Sequence, residues 1–166
     1  CLVGSEMCIR DRDVIPNTIL EIYTDKDELI YTGTTNEEGK ITIDDLKVGK
    51  YYILEKEAST GYVITTEKVY FEAKDNGEIV KAEMQNKPII GSVEITKVDI
   101  STGEVLPNTL IEIYNENDEL VFSGRTNEEG KILIENLRYG KYYFIEKEAP
   151  EGYQINDEKM WFEILE

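Results

Sequence analysis

Residues 13–75 of this 166-residue chain return as residues 104–166 at a constant offset, without a gap, and 35 of the 63 pairs are identical. TNEEGKI occurs at residues 35–41 and again at 126–132, and GKYYILEKEASTGY at 49–62 returns as GKYYFIEKEAPEGY at 140–153. Solenoid repeats take roughly 20–50 residues, so a period this long is a complete small domain. The chain therefore reads as two tandem domains, residues 13–90 and 91–166. Its function should be sought in what an array does.

Residues 1–12, CLVGSEMCIRDR, have no counterpart ahead of the second copy. They resemble the translation of a transposon-type sequencing adapter and are set aside from fold reasoning. Both cysteines, Cys1 and Cys8, lie there, so residues 13–166 hold neither cysteine nor histidine. Triads built on those residues and the usual zinc sites are therefore not expected, nor is a disulfide framework. The chain is expected to be cut at both ends.

Thirty-five acidic residues against 18 basic ones give a formal net charge of -17. A surface so acidic repels a phosphate backbone, which argues against a nucleic-acid partner. No apolar run approaches membrane-spanning length, so direct membrane insertion is not expected. The acidic stretches TDKDE and NENDE lack the ordered oxygen spacing and central glycine of a calcium loop and read as solvated hairpins.

Short segments rich in Ile, Val, Tyr and Thr alternate with turn signals about every ten residues, the spacing of a β-sandwich of roughly seven strands per complete copy. The signals are Lys26-Asp27, Asn36-Glu37-Glu38-Gly39, Lys47-Val48-Gly49, Ser59-Thr60-Gly61 and Asp75-Asn76-Gly77. Gly39 and Gly130 suit a positive φ in a hairpin turn. One helical turn near Ile43 to Leu46 is the only helix anticipated. Tyr51, Tyr52, Tyr142, Tyr143 and Trp161 fit core and cross-strand pairs better than a sugar-stacking platform.

In a strand, residues two apart share a face. Val93, Ile95 and Lys97 then share one, which ends an apolar row with an amine. Tyr142, Phe144 and Glu146 share another, repeated by Tyr51, Ile53 and Glu55, and a carboxyl ends each row. Val80, Ala82, Met84 and Asn86 form a row closed by a carboxamide. Such groups on apolar faces are costly unless paired. Brought together they can also react, because desolvation favours a neutral amine and burial a protonated carboxyl. The amine attacks the carboxamide carbon while the acid polarises the carbonyl and shuttles protons, and ammonia leaves. The product is an isopeptide bond between the first and last strands of a domain. On spacing alone, an ordinary buried ion pair, or a lysine snorkelling from a strand end, fits as well.

At these residues the chain resembles the collagen-adhesin B-type (Cna-B) repeats of Gram-positive surface adhesins and pilins, also called SpaA-like or prealbumin-like domains. GSVEITKVDISTGEVLPN at 91–108 is similar to the family's opening, YYFIEKEAPEGY at 142–153 to its acidic motif, and MQNKP at 84–88 to its closing strand. Lys56 and Lys147 depart from the motif threonine, and Ser59-Thr60 from its proline. The resemblance implies an all-β fold of tandem prealbumin-like (Ig-like) β-sandwiches, both copies truncated, the first without its first strand and the second without its last. It implies Lys97 as the bond-forming nucleophile of repeat 2, Asn86 as the acceptor of repeat 1, and Glu146 and Glu55 as the general acid/base groups. The lysine position of repeat 1 aligns with Glu6, and the acceptor position of repeat 2 falls beyond Glu166. No intramolecular bond is therefore expected within either copy of this chain, and one per repeat is expected in the intact protein.

The implied function is that of stalk or spacer repeats in a secreted, wall-anchored, extracellular adhesin or pilin. Self-cross-linking would occur once, without enzymatic turnover, cofactor or metal. Implied partners are neighbouring repeats of the same protein, and a host extracellular-matrix protein or glycan bound through another domain. Two other readings remain: that the repeats themselves bind a host protein or glycan, and that they are accessory domains of a large extracellular enzyme.

Overall fold

The computed structural model describes residues 14–75 and 79–166. The adapter-like residues 1–12, with both cysteines and Glu6, lie outside the described residues, as do Asp13 and the turn residues Asn76 and Gly77. Twelve strands and no helix run through the described part. They are β1 (Ile19–Thr24), β2 (Leu29–Thr34), β3 (Gly49–Glu57), β4 (Tyr62–Val63), β5 (Val69–Ala73), β6 (Lys87–Pro88), β7 (Ile90–Thr96), β8 (Leu110–Asn115), β9 (Leu120–Arg125), β10 (Lys131–Arg138), β11 (Gly140–Glu148) and β12 (Met160–Ile164). The chain divides into two compact units between Lys87 and Pro88.

Unit 2 is a sandwich of a four-stranded antiparallel sheet, in the order β12-β11-β8-β9, and the pair β10-β7. Period-2 alternation builds it. In β8, Ile111 and Ile113 point inward and are 2% and 0% exposed. They meet Ile95 of β7, Ile132, Ile134 and Leu137 of β10, Tyr142 of β11 and Ile164 of β12. Burying each such aliphatic side chain stabilises the fold by about 1.5–3 kcal/mol. The phenol of Tyr142 does not go unsatisfied, because its hydroxyl donates to Arg138 O at 2.8 Å.

Unit 1 repeats the larger sheet as β2-β1-β3-β5, with Leu20, Ile22, Tyr51, Ile53 and Ala73 as its buried core. Its second layer differs. Of the last strand expected over residues 78–88, the described residues 79–88 do not form a long strand: only β6 pairs, with β4. Val80 and Ala82 are exposed, whereas Met84 packs on the core and Asn86 is half-buried, so the expected shared face holds only at its end. Residues 40–47, the counterpart of β10, likewise belong to no strand although Ile41, Ile43 and Leu46 pack on the core. A strand persists when a neighbour takes up its N–H and C=O groups. In unit 2, β10 has β7; the first-copy counterpart of β7 falls before residue 14, outside the described residues.

The turns follow the sequence signals. Gly39 and Gly130 adopt φ of 67° and 69°. Ahead of them, Asn36 and Asn127 accept backbone N–H groups from Glu38 and Lys40, and from Glu129 and Lys131, at 2.9–3.0 Å. No helical turn forms near Ile43 to Leu46. Asp45 takes a left-handed φ of 59° there, and its counterpart Asn136 (φ 60°) sits where the β10–β7 register shifts.

On the outward face of the larger sheet, the Tyr143 ring stacks on Tyr114 at 5.3 Å and meets Trp161 at 4.9 Å. Lys159 Nζ lies 4.0 Å above the same ring. The Tyr143 hydroxyl donates to Asp118 at 2.7 Å, and Lys159 pairs with that carboxylate at 2.9 Å. Tyr52, Tyr23, Tyr70, Lys68 and Asp27 repeat the cluster in unit 1. The aromatic positions thus divide between core (Tyr51, Tyr142) and cross-strand pairs (Tyr52, Tyr143, Trp161).

Candidate functional site

Glu146 ends the inward row Tyr142–Phe144–Glu146 of β11, and the β11–β8 register shifts immediately after it. The same irregularity follows Glu55 in the β1–β3 pairing. A bulge re-aims a side chain locally, and in both copies the glutamate is buried, at 7% exposure for Glu55 and 5% for Glu146.

Lys97 follows directly on β7. Its N–H donates to Gly130 O at 2.8 Å, and its carbonyl accepts from Leu106 N at 2.9 Å, so two loops fix its backbone. From there Lys97 Nζ reaches Glu146 Oε2 at 3.0 Å, with 25% of the lysine side chain exposed against 4% of the glutamate's. Asn156 N–H donates to the same oxygen at 3.1 Å. Glu146 Oε1 is buried without a hydrogen-bond partner among the described residues.

In unit 1 the neighbours change. Asn86 Nδ2 lies 2.8 Å from Glu55 Oε1 and 2.6 Å from Oε2, and 3.0 Å from Val63 O. Thr65 N–H donates to Glu55 Oε2 at 2.6 Å, matching Asn156 in unit 2. The structure therefore brings Asn86 to Glu55 and Lys97 to Glu146. No lysine accompanies the first pair and no carboxamide side chain bonds the second among the described residues.

Chemically, each glutamate lies within hydrogen-bonding reach of a nitrogen that could exchange protons with it, Lys97 Nζ at 3.0 Å in the case of Glu146. At Glu55 the amide nitrogen lies on the carboxylate, which places the group that would leave as ammonia against a proton carrier. A half-turn of the carboxamide would put its carbonyl oxygen there instead, the orientation needed for polarisation by a protonated acid.

The loop after Lys97 is held by Asp99. Asp99 Oδ1 accepts the N–H groups of Ser101 and Thr102 at 2.6 and 3.0 Å. These bonds, with a smaller contribution from the Tyr153 hydroxyl, hold the Asp99 carboxyl below the usual aspartate range.

The prealbumin-like fold domain family (SpaA) matches residues 9–88 and again 91–166. The chain belongs to this family. Among solved structures, these prealbumin-like repeats are similar to the Bacillus anthracis TIE protein, at 44% identity and a TM-score of 0.81, covering 92% of this chain and 29% of that one. Among curated proteins they are 27% identical to serine-aspartate repeat-containing protein D of Staphylococcus aureus over 86% of this chain and 12% of that protein. They are 22% identical to Colossin-A of Dictyostelium discoideum over 87% of this chain and 2% of that protein. The chain thus spans a small part of the relatives it matches. Pilus adhesin structures from Lactobacillus rhamnosus GG share the fold at 14–15% identity.

Sequence reasoning about the prealbumin-like repeats missed the backbone N–H groups of Thr65 and Asn156, because a main-chain donor leaves no mark in residue type. A signal did exist: both lie ten residues after their glutamate, in ITTEK and INDEK.

Proposed function

We propose that these repeats are stalk modules of a bacterial cell-surface adhesin or pilin, held at the surface through other parts of the protein. In each complete repeat a lysine on the first strand and an asparagine on the last would be joined by an isopeptide bond, with the buried glutamate between them as proton carrier. The observation that carries this reading is that one position of the repeat collects both reactants. Glu146 holds the amine of Lys97, and Glu55 holds the carboxamide of Asn86.

Physical logic supports it without a ligand. A domain of under 100 residues has a modest core. A covalent tie between terminal strands restricts the unfolded chain as a disulfide does, by about 2–4 kcal/mol or more for long loops, and needs no oxidising compartment. Pulling force along an array would pass through the tie. The reaction is a single self-modification, and the acidic surface keeps an extended array soluble.

The test is a single repeat completed from this chain's own sequence, residues 91–166 followed by residues 76–90, beside its Lys97→Arg variant. The expected result is that the parent alone is lighter than its sequence by one ammonia. A folded parent of unchanged mass would remove the bond from this reading.

A further inference from the structure

The outward face of the larger sheet is held more constant between the two copies than the core beneath it. In unit 2, Lys141, Lys147 and Lys159 pair there with Glu163, Glu112 and Asp118 at 3.1, 3.6 and 2.9 Å. These pairs surround the cluster of Tyr114, Tyr143 and Trp161. All six charged positions are identical in unit 1, where Lys56 pairs with Glu21 at 2.7 Å, Lys68 with Asp27 at 3.7 Å, and Lys50 stands opposite Glu72. Two of the three rings are identical as well, and the third stays aromatic, with Tyr70 standing where Trp161 does. The core drifts further: Leu20, Ile53 and Ala73 become Ile111, Phe144 and Ile164. Substitutions on a solvated face are usually close to neutral, and exposed ion pairs add little stability. Folding alone therefore does not hold this face constant.

Charge and exposure narrow what such a face can hold. Three amines balance three carboxylates on it, in a chain of net charge -17. Tyr143 is 4% exposed beneath its neighbours, whereas Trp161 is 54% exposed and its counterpart Tyr70 71%. Trp161 is thus a cross-strand partner on one side and an open ring on the other. A polyanion is repelled by the chain as a whole, and a basic partner finds no excess of carboxylates at this face. A protein partner would have to dehydrate the ion pairs, and charged residues are depleted in interface cores for that reason. A sugar ring has no such difficulty. Its C–H groups carry partial positive charge and pack on the electron-rich face of an aromatic ring, while the bordering carboxylates and ammonium groups keep acceptors and donors for its hydroxyls.

We propose that the outward face of the larger sheet in each unit binds an uncharged polysaccharide, with Trp161 and Tyr70 as the stacking rings and the bordering ion pairs as ligands for sugar hydroxyls. The buried tyrosines, Tyr143 and Tyr52, set the outer rings in place through their ring contacts. Binding of this kind adds a role to a stalk module and does not depend on the isopeptide bond.

Trp161 is the only tryptophan of the chain, so its emission reads one of the two faces directly. The experiment titrates the full 166-residue chain with hexasaccharides of glucose, mannose, galactose and N-acetylglucosamine, and runs it in native gels containing soluble β-glucan or galactomannan. The expected result is a saturable blue shift with at least one hexasaccharide and retardation in at least one gel. Tyr70→Ala and Trp161→Ala should each weaken the retardation and together abolish it, with circular dichroism showing that the variants are folded. Trp161→Tyr, which copies unit 1, should keep it. Unchanged emission and mobility with all of these sugars overturns the proposal without recourse to any variant, and so does retardation that survives both alanine substitutions. Binding of hyaluronan or poly-lysine in place of the neutral sugars, or an emission shift that follows protein concentration alone, would assign the face to a polyanion, a basic partner or a second copy and would equally overturn it.

Discussion

Glu146 and Glu55 show how one residue type at one place in a repeat takes on different neighbours. Replacing Glu146 by Gln keeps its shape and its bond to Asn156 N–H but removes the carboxyl that is proposed to carry protons. In the completed repeat, Glu146→Gln should slow ammonia loss by about 100- to 10,000-fold, the usual contribution of a positioned acid–base group. A time course of intact mass reads this, and bond formation at the parent rate would exclude Glu146 from the chemistry. A second residue-scale prediction concerns Asp118. The Tyr143 hydroxyl, and then Lys159, hold its carboxyl below the ordinary value of 3.8. A carboxyl depressed in the folded state contributes stability that is present above 3.8 and is lost as pH falls through the lower folded value. Melting temperatures of the parent and Asp118→Asn should therefore differ most near neutral pH and converge below pH 3.8. A difference that stays constant with pH would mean that the carboxylate charge plays no part.

At the scale of elements, the hairpin turn before β10 is coupled to the site. Gly130 has φ of 69°, and a Cβ there would lie 2.8 Å from Lys97 O and 2.9 Å from Leu106 N, both backbone atoms. Gly103 has a similar φ of 76° with nothing within 4 Å. Alanine at Gly103 should cost only the left-handed penalty, about 1–2 kcal/mol, whereas Gly130→Ala adds a backbone clash and should cost more. Equal losses in denaturant unfolding would show that the close approach relaxes freely. These turns were legible in the sequence because glycine and asparagine answer a local backbone demand, and strands such as β8 and β11 were legible because burial imposes a period of two. Parity placed Lys97, Glu146, Glu55 and Asn86 each at the end of an apolar row, but which of them meet was implied by the family resemblance and not by parity. The last strand of repeat 1 was not legible: alternation in Val80, Ala82, Met84 and Asn86 marks which side chains could face a core, but a strand also needs a neighbour for its main chain. Of the left-handed residues Asn17, Asp27 and Asp45, repeated at Asn108, Asp118 and Asn136, the turn signals included only Asp27 by name. Each is an Asn or Asp whose short polar side chain tolerates that conformation, and residue type alone does not distinguish them from the other Asn and Asp residues of the chain.

For the whole molecule, a repeated sequence does not imply two equally stable units. The described core of unit 2 includes Ile132, Ile134 and Leu137 on β10 and Ile95 on β7, all buried. In unit 1 the counterparts Ile41, Ile43 and Leu46 are only partly buried and lie outside any strand. Among the described residues, less apolar area leaves water in unit 1 and its second layer has fewer main-chain bonds to hold it, so unit 1 should unfold first. Calorimetry of the chain should show two transitions. Ile22→Ala and Ile113→Ala remove equivalent side chains, 1% and 0% exposed, from β1 and β8. Each should destabilise its own unit by about 2–5 kcal/mol, the usual cost of such a cavity. Ile22→Ala should lower only the first transition and Ile113→Ala only the second. The repeats then behave as separately folding modules, as a stalk built by adding domains requires. A single transition moved by both substitutions would instead mean that the two copies fold as one cooperative body, and the array would have to be treated as a single mechanical element.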